Sequence, residues 1–164
     1  MANSNIITTI KNHVIKTLIK DNDIVTAIDS STVPKDKPEN LLYTHIFDYN
    51  QNPYKVEDVG TFITVQVHIP AQIDKNYSAV TLEIFIVSHH RHMKVDNIPK
   101  ITVNRNDYLS QLITEKFNGS GLGLGEMSQM TNVEGCYQED YLYRKLTFKT
   151  TDLNKSFCID DEDI

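Results

Sequence analysis

The segment SAVTLEIFIVS, residues 78–88, decides the fold class of this chain. Apolar residues occupy every second position from Val80 onwards, which is the two-residue period of a β-strand. Phe85 and Val87 then add apolar side chains on the opposite face, so the second half of the segment has little polar character. Because a strand of this kind is covered on both faces, we predict that it lies in the middle of a sheet. The alternating apolar positions are Val80, Leu82, Ile84 and Ile86.

Other segments supply the neighbouring strands. Residues 61–70, TFITVQVHIP, alternate apolar and polar positions, and the final proline is expected to end the strand. Residues 141–150 alternate in the same way. Shorter strands are predicted from Leu41 to Phe47 and from Glu126 to Val133, with a hairpin-like break in EGCYQED, residues 134–140.

Two segments have the period of an α-helix. Apolar residues recur at spacings of three and four from Asn5 to about Ala27, before the polar, proline-containing segment 29–38. The second helix lies in NRNDYLSQLITEKFNGSG, with Asn104 or Asn106 as its N-cap and Gly119 in its stop signal.

These elements predict an α+β fold, in which a mainly antiparallel sheet of four to five strands packs against two α-helices. The chain has 164 residues, which suits one domain over residues 1–164, ending in an acidic tail at residues 155–164.

Charge and composition exclude several classes of function. The net charge is -6 and basic residues form no stripe, so duplex DNA is a poor partner. Residues 1–20 form neither a signal peptide nor a membrane span, which predicts assembly in the cytoplasm and no membrane partner. Cys136 and Cys158 are expected to be free thiols.

Three histidines, His89, His90 and His92, follow the central strand. In an extended chain His90 and His92 would share a face, and a catalytic zinc site would need a third ligand, from His45 or His68. The alternative is that the strand simply emerges into solvent, where polar residues belong. We favour the solvent-exposed strand exit and keep the metal-binding protein as an alternative.

The remaining candidate motifs do not predict a catalytic, cofactor or metal site. The glycines of GSGLGLGE follow a helix and precede a strand, the reverse of a phosphate-binding loop, so they are interpreted as a helix C-cap and turn. Cys136 has acidic neighbours that disfavour a thiolate. We therefore predict that the protein is not an enzyme and needs no cofactor. The acidic residues considered, all in polar loops, are Asp48, Glu57, Asp58, Glu139 and Asp140.

The order of elements from residue 5 to 154 resembles the neck and tail-completion proteins of tailed bacteriophages, of the tail-terminator type. The resemblance depends on three segments, IFDYNQNPY after the first strand, RNDYLSQLITEKFNG followed by GLGLGEM, and the closing LYRKLTFKTTDLN. It implies helices packed on an antiparallel sheet and a ring, commonly of six copies, where the tail tube ends and the head connector begins.

The partners implied are further copies of the chain, the tail tube protein and a head-tail connector or stopper protein, in a virion assembled in the host cytoplasm. Genomic DNA would pass through the ring without specific binding. A head-completion or neck adaptor protein of the same particle is the alternative. The expected contact patches are the loop Asp48–Val59 and the segment Gly119–Gly125, and the histidine-rich exit leaves open a pH-sensitive or metal-bridged subunit contact.

Overall fold

A computed structural model describes residues 5–52, 59–74, 77–121 and 126–153. Five strands form one sheet in the order β1-β2-β3-β5-β4. β1 runs parallel to β2, and the other neighbours are antiparallel. β3 lies in the middle, as predicted from its two apolar faces. The strands are β1 Ile46–Phe47, β2 Thr61–Gln72, β3 Tyr77–His89, β4 Ser128–Tyr137 and β5 Tyr141–Leu153.

The described chain has three α-helices: α1 Asn5–Lys20, α2 Asn22–Ile28 and α3 Arg105–Phe117. The single first helix predicted to reach Ala27 is wrong, because the chain breaks at Asp21. The Asp21 carboxylate accepts hydrogen bonds from the backbone N–H groups of Asp23 and Ile24, each at 3.0 Å, which starts a new helix there. The apolar spacing continues across this break, so periodicity alone did not show it.

The boundaries of α3 confirm the predicted capping. Asn104 is the N-cap, and its side-chain oxygen accepts the backbone N–H of Asp107 at 2.9 Å. Gly119 follows the helix with a φ of 78°, a conformation that glycine adopts at little cost.

Three strand predictions need correction. The predicted strand Leu41–Phe47 is reduced to β1, because Pro38–Leu41 forms a 3₁₀ turn. β2 continues past Pro70 through a bulge between His68 and Ala71. β4 extends to Tyr137, so the hairpin turn is shorter than the predicted break and begins after that residue.

The main core lies between one face of the sheet and the helices. Alternate residues of β2, β3 and β5 meet the apolar faces of α1, α2 and α3, which buries a continuous cluster. The fold is therefore α+β as predicted, although the described residues form three α-helices where two were expected. The largest fully buried apolar side chains include Phe117, Phe148, Ile10, Leu18, Leu82 and Ile84.

Candidate functional site

The histidines after β3 do not continue as an extended chain. The strand ends at His89, and His90–His92 forms a 3₁₀ turn. The expectation that His90 and His92 would project to one face is therefore wrong, because it assumed strand geometry beyond the end of the strand. The two side chains contact different acids, Asp140 for His90 and Asp29 for His92.

His92 points into a hydrogen-bonded network between the sheet and α3. Its Nδ1 lies 2.8 Å from the hydroxyl of Thr61, which contacts the hydroxyl of Ser88 at 2.8 Å. Ser88 in turn donates to the side-chain oxygen of Asn106 at 2.6 Å. Burial lowers the pKa of His92, and the neighbouring Arg105 guanidinium lowers that pKa further, although Asp29 opposes the shift. This histidine therefore has a structural role in the network.

His45 and His68 do not complete a metal site with His90 and His92. His45 is buried and stacks on Phe62 with ring centroids 5.5 Å apart. His68 lies towards the far end of β2 and faces Glu83 at 3.5 Å. The set of histidine ligands considered in the sequence analysis is thus not brought together by the fold.

A different group is brought together at the strand exit. The possible ligand atoms of His89, His90 and Asp140 all lie within 4.8 Å of one another. Among the described residues no other set of three or more histidine, cysteine or acidic side chains is this compact. Asp140 belongs to the turn before β5, opposite the end of β3, and because this pairing joins distant parts of the chain, no local sequence signal predicts the cluster.

The face of the sheet opposite the helices, here called the open face, carries an aromatic cluster. No helix among the described residues packs on this face. Phe85 and Tyr143 contact each other with ring centroids 6.0 Å apart, and the Lys145 ammonium lies 5.2 Å from the Phe85 centroid. The buried members of the cluster are Phe47, Phe62, Val87 and Tyr141, with Phe85, Tyr137 and Tyr143 packed against them.

A groove of about 230 Å³ is lined in part by residues of this cluster. Its lining includes Asn50 and Gln51, from the loop after β1, together with Thr64 and Tyr143 from the sheet. The Thr64 hydroxyl is buried and has no hydrogen-bond partner among the described residues. The loop patch predicted from Asp48 to Val59 thus reaches the open face through its described part. Residues 53–58, including Glu57 and Asp58, lie outside the described residues.

β4 forms the long edge of the sheet. It pairs with β5 on one side, and in the described structure no strand pairs with its other side. Most of its residues are exposed, and Met130 and Val133 expose 53% and 48% of their surface. Its only charged residue is Glu134, although edge strands are commonly protected by charge or proline. The edge is therefore available for a contact, a feature that the sequence analysis did not predict.

The other predicted positions lie on the surface or outside the described chain. Asp48 accepts a hydrogen bond from the Tyr43 hydroxyl at 3.3 Å, and Glu139 is exposed in the β4–β5 turn. Cys136 is an exposed free thiol, as predicted, whereas Cys158 falls outside the described ranges. The acidic tail 155–164 and residues 122–125 of the glycine-rich segment also fall outside them.

A family model described as YomW matches residues 12–150, which is most of the chain. The chain belongs to the YomW family. The YomW family is derived from phage, which confirms the phage origin expected from the resemblance; the tail-terminator type stays a prediction. No curated protein and no solved structure matches the chain. Within the described ranges, no helix of this YomW protein combines the length and apolar character needed to cross a bilayer.

Proposed function

We propose that this YomW protein is a structural virion component that forms a ring at the head-tail junction of a tailed phage. In this role it ends the tail tube and joins it to the head connector. The single observation that carries the proposal is the exposed β4 edge in a phage-derived protein. A strand edge that no other described strand pairs with offers backbone donors and acceptors to a neighbouring chain, and a surface with that property suits assembly rather than catalysis.

The arrangement of the two surfaces suits a head-to-tail ring. The β4 edge is one surface, and the loop residues Asn50 and Gln51, which line the groove on the open face, belong to another. A cyclic ring needs two different patches on each subunit, because the patch of one copy meets the other patch of the next. We therefore assign the subunit contact to these two patches, with six copies as the proposed number.

The other proposed partners are the tail tube protein and the connector or stopper protein above and below the ring. Genomic DNA passes through the lumen without specific binding, since a net charge of -6 gives the chain no general attraction for phosphates. The protein acts in the virion, and we propose no catalytic role for it. A head-completion or neck adaptor protein of the same particle is the second candidate, and it has the same support from family and surface.

The first experiment measures the mass of the purified full chain by size-exclusion chromatography with light scattering, and its presence in purified virions by mass spectrometry. Met130→Glu and Val133→Glu should weaken the ring because each places a charge on the β4 edge. Val133 pairs with Lys145 across the strands, so a glutamate there is tolerated within one subunit. Val103→Glu is the matched control, because Val103 is also exposed but lies before α3.

The two candidate functions can be distinguished by the phage particles that assemble when this gene is deleted. Loss of a tail terminator should leave heads and tails unjoined, with tail tubes of irregular length, whereas loss of a head-completion protein should leave tails of normal length beside heads that lose DNA. A monomer that is absent from virions would refute both.

A further inference from the structure

The exit of β3 and the turn between β4 and β5 are held against each other by the backbone. The N–H of His90 donates to the carbonyl oxygen of Asp140 at 2.8 Å. His89 pairs with Tyr141 in the sheet register, and the two rings meet edge to face with centroids 5.2 Å apart. These contacts bring close together the backbones of the residues that carry two imidazoles and one carboxylate.

We propose that His89, His90 and Asp140 together bind one Zn²⁺ ion, at a site that the sequence analysis did not predict. Their possible ligand atoms lie within 4.8 Å of one another, which small side-chain rotations can bring to a common ion. Three protein ligands leave one position of a tetrahedral zinc for water. The proposal concerns a site separate from the β4 edge and does not depend on ring formation.

The ligand types favour zinc over the common hard cations. Imidazole nitrogens bind Zn²⁺ well, whereas Mg²⁺ and Ca²⁺ prefer sites made of oxygen ligands. Here two of the three ligands are imidazoles, whose ring centroids are 4.5 Å apart. Side-chain exposures of 49% for His90 and 54% for Asp140 let the ion enter directly from solvent. An open site of this kind implies moderate affinity.

The protonation state of the imidazoles and the charges of neighbouring side chains also affect metal binding at this site. Burial lowers the pKa of His89, and the nearby His90 lowers that pKa further, although Asp140 opposes the shift. A neutral imidazole is the form that binds a metal. Arg91 is the neighbouring cation, and Asp140 supplies the anion that offsets part of the metal charge. Binding costs one hydrogen bond if His89 coordinates through Nδ1, because that atom accepts the backbone N–H of Arg91 at 3.1 Å.

The bound ion would clamp the β3 exit to the β4–β5 turn, beside the end of the aromatic cluster at Tyr141. Because such an ion binds the folded chain in preference to the unfolded chain, it raises the melting temperature in a concentration-dependent way. Zinc binding can therefore be followed by the melting temperature as well as by direct titration.

The test is titration of the metal-free full chain with Zn²⁺ by calorimetry, and with Co²⁺ by visible absorption, at pH 7.5. We expect one equivalent to bind and the melting temperature to rise with Zn²⁺ concentration. His90→Ala and Asp140→Asn should each weaken binding about tenfold or more, because losing even an outer-shell partner of a metal ligand costs about that much. Both residues are exposed, and circular dichroism checks that each variant is folded.

His68→Ala and His13→Ala are matched controls, because both histidines are exposed and lie outside the cluster. Each should bind Zn²⁺ as the unchanged protein does. The proposal is overturned if the unchanged protein shows no saturable binding, if His90→Ala and Asp140→Asn bind as tightly as it does, or if Mg²⁺ binds with the same affinity as Zn²⁺.

Discussion

Arg105 donates a hydrogen bond from its Nε to the backbone carbonyl oxygen of His92 at 2.7 Å. Its terminal nitrogens bond to the carbonyl oxygens of Ala27 and Lys94, at 2.5 and 2.8 Å. One buried guanidinium at the start of α3 thus holds the end of α2 and the segment after the histidine turn. Burial lowers the pKa of Arg105, although Asp29, 3.7 Å away, opposes the shift, so the charge is retained with only partial compensation.

Replacing this guanidinium should be costly. Arg105→Lys should reduce the free energy of unfolding by about 3 kcal/mol, because a single ammonium cannot reach three separated carbonyl groups, of which that of Ala27 is buried. Urea denaturation measures the change. Arg91→Lys is the control, since Arg91 is exposed and should change stability by less than about 0.5 kcal/mol. Equal effects at the two positions would contradict the role assigned to Arg105.

The buried network beyond His92 gives a second prediction. Asn106 accepts from Ser88 and donates to the carbonyl oxygen of Leu142 at 3.0 Å, linking α3 to β3 and β5. Asn106→Ala should cost about 2 kcal/mol of unfolding free energy, because it leaves the Ser88 hydroxyl and the Leu142 carbonyl without this partner. Thermal and urea unfolding both report it. The exposed Asn12→Ala on α1 should be close to neutral, and an equally small effect at Asn106 would show that the network contributes little.

The ion pair between Asp21 and Lys116 predicts a pH dependence. The two side chains lie 2.6 Å apart and join the start of α2 to the end of α3. Burial alone would raise the pKa of Asp21, but the Lys116 ammonium and the N–H groups of Ile24 and Asp23 outweigh it and hold that pKa below the ordinary 3.8. The stabilisation is therefore present above pH 3.8 and is lost as the pH falls further, through the lowered pKa.

Asp21→Asn tests this, because asparagine also caps helices but carries no charge. At pH 7 we expect a loss of about 1 kcal/mol or less, and the difference from the unchanged protein should shrink as the solution is acidified below pH 4. Lys116→Gln should also lower stability at pH 7, with little further loss in the double variant. A difference that stays constant into acid would argue that the charge has no role.

Gly135 has no side chain, and the ring of Tyr143 on the open face occupies the space where a Cβ would lie. A Cβ at this position would lie 2.7 Å from Cζ and Oη of Tyr143, too close for the ring to stay in place. Gly135→Ala should therefore cost about 1 kcal/mol or more and change tyrosine fluorescence, because the ring must move. In a Tyr143→Leu background the same added methyl should cost less. An equal cost in both backgrounds would mean that the ring does not restrict this position.

The central position of β3 and the bounds of α3 were predictable because both depend on local signals. Alternating apolar residues on two faces define a buried strand, and the Asn104 cap and Gly119 stop define the helix. The phage origin also followed from the order of these elements. The helix break at Asp21 was not predictable from periodicity, because the apolar spacing continues through it. The break depends instead on the capping hydrogen bonds that the Asp21 carboxylate accepts.

The candidate sites depended on pairings between distant parts of the chain. Asp140 meets His89 and His90 only because β5 pairs with β3, and β4 becomes the exposed edge only because β5 lies between it and β3. The sequence by itself therefore determined the fold class, the central strand and the capped third helix, since neighbouring residues set periodicity and capping. Only the tertiary structure decided which histidines share a site and which strand edge stays open, because strand order and register are set by contacts between residues far apart in the chain.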